Sequence, residues 1–262
     1  MDKKIAIIGG GNLGQAIASG LISDNFKTSN LIITRHKTEL LSDFKKKGVK
    51  ITSNNIDAVK NSEIIIIAVK PYKVESILKE ISKDITNSHV LISVVSDFSI
   101  EAINNSVQSS PSVFRAMPNT AASVNESMTC IASQNASEED SKMVHSIFNA
   151  LGETISIDEQ LMDAATVLGA CGIAYVLRFI RGMIQGGIEI GFDAKTATQI
   201  ATQTVKGASE LLLKEGNHPE AEIDKVTTPK GCTITGLNEM EHQGFSSALI
   251  KGIKTSYDKI SD

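Results

Sequence analysis

The stretch Ile5-Ala6-Ile7-Ile8-Gly9-Gly10-Gly11-Asn12-Leu13-Gly14 constrains the fold more than any other part of this chain. Lys3 to Ile8 is short, β-branched and apolar on both faces, the composition of a strand buried inside a parallel sheet. Gly9, Gly11 and Gly14 then fall in G-x-G-x-x-G spacing: a tight turn, a point where backbone can touch a pyrophosphate, and a close approach of helix to strand. Each of those roles needs a missing Cβ. From Asn12 onward Ala16, Ile17, Leu21 and Ile22 recur at helical spacing, so a helix should open there and aim its unpaired N–H groups at an anion. A strand before the glycines and a helix after them separate this pattern from an isolated glycine turn and predict a dinucleotide site.

A chain of 262 residues with 41% hydrophobic content can bury a sizeable core and divide into two domains. Its net charge of −4, with no basic stripe, argues against an extended nucleic-acid surface. The first strand begins almost at Met1, with no charged segment followed by an apolar signal core, so the expected location is cytoplasmic. Cys130, Cys171 and Cys232 are widely separated and lack C-x-x-C spacing, so neither a disulfide framework nor a metal site is expected. The longest apolar stretch, Ala164 to Leu177, is broken by Gly169 and Gly172 and stopped by Arg178, which reads as too short to span a membrane.

The second strand should be Asn30 to Thr34, ending about twenty residues beyond Gly14, where a dinucleotide fold chooses between its two cofactors. An NAD site usually places Asp or Glu at this point, whereas the chain reads Thr34-Arg35-His36-Lys37. Arg35 can stack on and pair with a 2′-phosphate, which favours NADPH and leaves NADH possible; a solvated basic turn is the plain alternative. A short strand near Ile51 leads to Asn54-Asn55, and Glu63 to Val69 is the clearest buried strand, ending in Ala68-Val69-Lys70-Pro71 at a carboxyl edge, where open α/β sheets bind ligands. Further strands are expected at Val90 to Val95, near Val113 and, as the last, at Met128 to Ala132. A helix should follow from Ser137, its N-cap, to Ala150. This alternation implies a doubly wound α/β sheet of Rossmann type up to about Ser156.

Beyond Asp158 strand-length runs vanish and helical spacing continues to the end, so the expected domains are 1–158 and an all-helical 159–262. Leu161 to Gly191 is rich in small residues, while Ala197, Ala201, Val205, Ala208 and Leu212 share a helical face. A helical unit of this size with so few aromatics buries itself poorly, so its apolar stripes should be completed by a second subunit; a bundle packed on the sheet is the monomeric alternative.

One C-terminal stretch points to chemistry: Asp224-Lys225-Val226-Thr227-Thr228-Pro229-Lys230-Gly231-Cys232-Thr233-Ile234-Thr235-Gly236-Leu237. Together with Gly9 to Gly14, Ala68 to Pro71 and Arg115 to Asn119, it resembles the pyrroline-5-carboxylate reductase family, whose C-terminal signature runs V-[ST]-S-P-G-G-[TA]-T-I followed by G-L or a near equivalent. The match covers essentially the whole chain in the right order. The resemblance implies a Rossmann domain, a helical domain interlocked with a partner subunit as a homodimer or larger homo-oligomer, and reduction of the small cyclic imine 1-pyrroline-5-carboxylate to proline with NADPH or NADH.

By the same resemblance, Thr233 is the catalytic hydroxyl that meets the substrate ring nitrogen, Gly231 and Cys232 form the loop whose backbone receives the carboxylate, and Asn119 belongs to the substrate site. Small residues ahead of an apolar helical run would expose N–H groups at a helix start, an arrangement suited to a carboxylate, although a plain N-cap explains a threonine here as well. On the cofactor side the resemblance assigns Gly9, Gly11, Asn12, Leu13 and Gly14 to the phosphate loop, Thr34 and Arg35 to the second strand end, and Asn55 to the adenosine. It further assigns Ala68, Val69 and Lys70 to the cofactor edge and Glu159 to an acidic position near the nucleotide. A turn asparagine and a solvated helix start are the plain alternatives for Asn55 and Glu159.

Two departures stand out. The family writes T-A-L-S-G-S-G-P-A-[YF] where this chain has Thr166 to Tyr175 with Ile173 in place of proline, which predicts a straighter helix and puts substrate preference in question. Ser96-Asp97 stands where the family prefers Ala-Gly; Asp97 should cap the following helix, or repel phosphate if it points inward. Gly169-x-x-Gly172 with Arg178 is reminiscent of β-hydroxyacid dehydrogenases, but that chemistry needs a lysine that can lose its proton, and arginine cannot. A dinucleotide-sensing protein without catalysis is the alternative of another class, opposed by the intact Thr233 loop.

Overall fold

A computed structural model describes residues 2–134 and 136–261. In chain order the elements are β1 (Ile5–Ile8), α1 (Asn12–Ser23), β2 (Leu31–Thr34), α2 (Ser42–Lys46), β3 (Lys50–Thr52), α3 (Asn55–Lys60), β4 (Ile64–Ile67), α4 (Val74–Ile81), β5 (Val90–Ser93) and α5 (Ile100–Ser106). There follow β6 (Ser112–Met117), β7 (Ser127–Gln134), α6 (Glu138–Asn149), β8 (Gly152–Ser156), α7 (Met162–Ala165), α8 (Gly172–Glu189), α9 (Ala194–Glu215), α10 (Pro219–Val226), α11 (Cys232–His242) and α12 (Phe245–Ser261).

The eight strands form one sheet in the order β3-β2-β1-β4-β5-β6-β7-β8. β1 to β6 are parallel, because each pair is joined by a crossover that packs back on a sheet face. Strands buried on both faces must be apolar throughout, and Ile64 to Ile67 show the consequence: alternate isoleucines enter two separate cores. Ile64 and Ile66 pack with α1 and α6 on one face, and Ile65 and Ile67 with α3, α4 and α5 on the other.

The far edge departs from simple winding. Met128 to Ala132 is not the last strand: β7 turns back antiparallel to β6, and β8 then adds parallel to β7 after α6. The chain reverses through a short 3-10 turn at Thr120–Val124, which ends on Asn125 at φ 59°, and too few residues lie there for a parallel crossover. Ser137 caps α6 as expected, its Oγ accepting from the Asp140 amide at 3.0 Å.

The chain divides into two compact units at Cys171/Gly172, beyond the boundary expected at Asp158. Residues from 159 onward stay with the sheet because Met162 is fully buried against Met117 and Ala132, with Ala170 beside them. The stretch that carries Ile173 in place of proline is not straightened at its start. Thr166–Cys171 forms a π-helical turn. Asn119 Nδ2 donates to the Gly169 carbonyl at 3.2 Å and the Thr166 hydroxyl to the Met162 carbonyl at 2.8 Å, side-chain bonds of the kind that open an α-helical ladder.

The second unit, from Gly172 on, is all-helical. α8 and α9 meet where Ala197 and Ala201 are buried against Ile184; a Cβ on Gly187 would stand 3.2 Å from that of Ala197, so the small residue permits the close approach. α8 also reaches α12, through Tyr175 Oη to Ser256 Oγ at 2.7 Å, and the Phe179 and Phe245 rings lie 6.0 Å apart. Little apolar surface is buried this way: Leu177, Ile190, Leu213 and Ile250 are each at least 60% exposed. The helical run Glu159–Glu189 is 31 residues long and reaches a mean hydropathy of 1.6 over an 18-residue window, so by length and composition it could cross a membrane. That overturns the reading of this stretch as too short, because the π turn carries the helix through Gly169 and Gly172 without a break.

Candidate active site

The carboxyl ends of β1, β2, β4 and β5 open on a cleft of about 650 Å³. It is lined by Gly9 to Leu13, Thr34 to Lys37, Ser53, Asn55, Ala68 to Pro71, Ile77 and Val94 to Ser96, among others. Its floor is the glycine loop. Gly9 sits at φ 111°, and a Cβ there would lie 2.5 Å from the Ala68 carbonyl oxygen. At Gly14 the added atom would lie 2.2 Å from the Gly9 carbonyl oxygen, where α1 packs on its own loop. Gly11 differs: nothing stands within 4 Å of the position its Cβ would take. Two glycines therefore bring chain against chain, while the third leaves open space beside the amino end of α1. That is the cradle a pyrophosphate fits, with the helix N–H groups and dipole facing it.

Thr34 is the brace of this loop. Its hydroxyl accepts from the Gly9 amide at 3.3 Å and donates to Asn55 Oδ1 at 2.7 Å. Since Asn55 Oδ1 takes the Thr34 proton, its Nδ2 must turn to Glu80, whose two carboxylate oxygens lie at 3.3 and 3.1 Å. Glu80 escaped the sequence reading because α4 carries it far along the chain from the motif. Arg35 folds back on the loop, its Nη1 donating to the Gly10 carbonyl at 2.6 Å, which fixes the guanidinium at the cleft mouth beside exposed His36 and Lys37.

Three further residues singled out in the sequence have these surroundings. Asn119 is 6% exposed and its amide is engaged at both ends, accepting from the Ala121 amide at 3.0 Å and donating to Gly169, so it braces its own loop and the π turn. Glu159 is absent from the cleft lining, and its Oε1 takes the Ile100 amide at 2.7 Å and Arg115 Nη1 at 3.2 Å. Asp97 is exposed at φ 59° and neither caps α5 nor faces the cleft; Ser99 is the cap, accepting from the Ala102 amide at 3.1 Å. Helix caps take a β-region backbone, which Ser99 has and Asp97 lacks.

In the second unit, Thr228 to Gly231 form a tight turn closed by the Gly231 amide on the Thr228 carbonyl at 2.9 Å. Lys230 occupies its left-handed position at φ 60°, where the family signature writes glycine. A Cβ on Gly231 would lie 2.6 Å from Thr228 Oγ1 and 3.0 Å from the Thr228 carbonyl oxygen, so a larger residue there would make the Thr228 side chain or the turn shift. Gly231 is the N-cap of α11 and offers no side-chain cap, which leaves the first N–H groups of that helix without helical partners. Thr233 is thus inside the first turn and is not the cap. The Thr235 hydroxyl is spent on the Gly231 carbonyl at 3.1 Å, whereas the exposed Thr233 hydroxyl makes no hydrogen bond among the described residues. Burial pushes the Cys130 thiol up, and among the described residues no group of acidic or sulfur side chains could hold a metal.

Comparisons with known proteins agree with this geometry. Residues 159–262 match the family model "Pyrroline-5-carboxylate reductase dimerisation", and residues 4–97 match "NADP oxidoreductase coenzyme F420-dependent". Pyrroline-5-carboxylate reductase 2 of Dictyostelium discoideum is 43% identical over 99% of this chain and 93% of its own length. Reductase 1 of that organism is 46% identical over 98% of this chain, which spans only 49% of that longer protein. Among solved structures, Plasmodium falciparum pyrroline carboxylate reductase with NADP bound superposes with a TM-score of 0.91 at 29% identity, covering 99% of this chain and 97% of that one. The Streptococcus pyogenes 1-pyrroline-5-carboxylate reductase gives 0.87 at 27% identity and 98% of each chain. Glycine-loop cleft, free threonine at the start of α11 and relatedness along the full length converge: the chain belongs to the pyrroline-5-carboxylate reductase family.

Proposed function

We propose that this protein reduces the C=N bond of 1-pyrroline-5-carboxylate to give L-proline, with NADPH as reductant and NADH as a weaker substitute. The observation that carries the reading is the unpartnered Thr233 hydroxyl beside the free N–H groups of α11, in a chain whose relatives bear this activity in their names. When bound, the reduced nicotinamide supplies the electron pair and hydrogen for the imine carbon. The chain's own residues do the rest. Backbone N–H groups of Cys232 and Thr233 receive the carboxylate. The Thr233 hydroxyl donates a hydrogen bond to the ring nitrogen as the C=N π pair becomes a lone pair there, the proton that completes the amine coming from solvent, and Lys230, one residue before the cap, adds positive charge near the anion. Gly9 to Gly14 hold the pyrophosphate, and Thr34, Arg35 and Asn55 serve the adenosine side. Following nicotinamide absorbance with pyrroline-5-carboxylate, pyrroline-2-carboxylate and 3-hydroxyacids tests it. Turnover is expected with the first; preference for a 3-hydroxyacid, or no turnover with any, would refute the assignment.

Arg35 sets the cofactor preference in this reading. A carboxylate at that place repels a 2′-phosphate but accepts bonds from a free ribose hydroxyl, so Arg35→Asp is expected to raise KM for NADPH at least tenfold more than KM for NADH. Equal losses would remove Arg35 from that role and leave only its bond to Gly10. The apolar surface left open on α8, α9 and α12 is assigned to a second copy of the chain, and the same assignment accounts for the long apolar helix without a membrane. Sedimentation at micromolar protomer concentration should show a dimer or larger; a stable monomer would contradict it. A cytoplasmic location goes with this reading.

A further inference from the structure

Glu80 belongs to none of the motifs in the sequence, yet it ends a chain of hydrogen bonds that runs into the glycine loop. Lys73 and Ile77 line the cleft, and helical spacing puts Glu80 on the same face of α4, one turn farther along. There its two carboxylate oxygens lie 3.3 and 3.1 Å from Asn55 Nδ2, and among the described residues no cation pairs with it. Asn55 is 8% exposed and Thr34 2%, so each depends on a protein partner more than on water.

The hydrogen bonds in this chain can run in one sense only. A carboxylate accepts, whereas an amide side chain can present either end. With Glu80 beside it, Asn55 turns Nδ2 to the carboxylate and Oδ1 to Thr34. Thr34 then has an acceptor for its single proton, and its oxygen is left to accept from the Gly9 amide at 3.3 Å. Reversing the amide would set Oδ1 against a carboxylate and bury the Thr34 proton without an acceptor, each at the cost of an unmade hydrogen bond. The two hydrogens of an amide nitrogen diverge, so Glu80 takes one and the other remains for the cleft that Asn55 lines. Asn55 is thereby presented as a donor, the sense that a ribose or phosphate oxygen requires.

We propose that Glu80 is a positioning residue for the dinucleotide: acting through Asn55 and Thr34, it fixes which way the Asn55 amide points and so holds the adenosine side and the Gly9 turn in binding form. The proposal rests on the dinucleotide reading of the cleft. Binding of NADPH and of 2′,5′-ADP, which carries only the adenosine half, tests that reading on the wild-type protein; binding of neither would refute the reading and the proposal with it. With both bound, Glu80→Met, which keeps the length but offers no carboxylate oxygen, is expected to weaken both ligands alike, by about five- to tenfold. Glu80→Gln still offers Oε1 to Asn55 Nδ2 and should stay within about twofold of wild type. In an Asn55→Ala background, Glu80→Met should cost less than about twofold more, since a residue that acts through a partner has nothing to act on once the partner is gone. In steady-state reduction of pyrroline-5-carboxylate the loss should fall on KM for NADPH and not on kcat. Unchanged affinity in Glu80→Met would overturn the proposal and leave the cleft reading standing, and so would a further loss of the full size in the Asn55→Ala background. Tighter binding in both Glu80→Met and Glu80→Gln would overturn it as well, since that is the sign of a carboxylate that repels the nucleotide phosphates directly.

Discussion

Thr233→Ala is expected to lower turnover with pyrroline-5-carboxylate by roughly ten- to a thousandfold, the range for one hydrogen-bond donor acting in a transition state. Reduction of an imine asks little acid chemistry of a protein. Holding the imine carbon in reacting geometry supplies much of the acceleration, and one hydrogen bond at the nitrogen assists as charge moves toward the amine. The structure sharpens the test, because two threonines stand two residues apart in α11 and only Thr235 has its hydroxyl engaged within the helix. Thr233→Ala should leave the affinity for NADPH nearly unchanged, Thr233→Ser should keep much of the activity, and Cys232→Ala should be milder still, since only the backbone of Cys232 serves the substrate. Stopped-flow single turnovers with saturating NADPH separate these effects from product release. Wild-type rates in Thr233→Ala, or a larger loss in Cys232→Ala, would move the donor elsewhere in the loop.

Gly14→Ala should act on cofactor affinity instead. The new methyl would lie 2.2 Å from the Gly9 carbonyl oxygen, a backbone atom with no rotamer to adopt, so either α1 or the loop must move. Overpacking of this kind costs on the order of 1–3 kcal/mol. For a chain of this length that lowers Tm by roughly 3–10 °C, compared at one protomer concentration. Displacing loop amides from a phosphate forfeits hydrogen bonds to a charged group, each worth about 1.5–3 kcal/mol, so NADPH should bind about ten- to a hundredfold more weakly. Gly11→Ala is the control, because its methyl meets no protein atom within 4 Å. It should leave Tm unchanged and weaken only the nucleotide. If Gly11→Ala destabilised the fold while Gly14→Ala did not, the division of labour among the three glycines would be reversed.

β1, β2 and β4 could be read from the chain because buried parallel strands need unbroken apolar runs, and Ile5 to Ile8, Leu31 to Ile33 and Ile64 to Ile67 are such runs between polar loops. The glycine turn was equally plain: Gly9 and Gly14 answer local requirements of the backbone, which composition at a fixed spacing records. The Thr233 loop was legible only through the family's signature, since a threonine near a helix start is as well explained by capping; it took the structure to show that Gly231 is the cap and that Thr233 is left free.

What the sequence by itself determined, then, is whatever depends on neighbours within a few residues: strand and helix periods, the glycine turn and the Ser137 cap. Only the tertiary structure decided the direction of β7, the presence of β8, the junction at Cys171/Gly172 and the partners of Asn119, Glu159 and Glu80. Glu159 meets an arginine on a strand far back in the chain, and Asn119 meets a carbonyl in a helix yet to come. A carboxylate or an amide is suited equally to a nucleotide, a helix end or a buried arginine. Its role is settled by which groups the folded sheet brings within about 3 Å of it, where a buried polar atom must find a partner, and no local pattern encodes that distance.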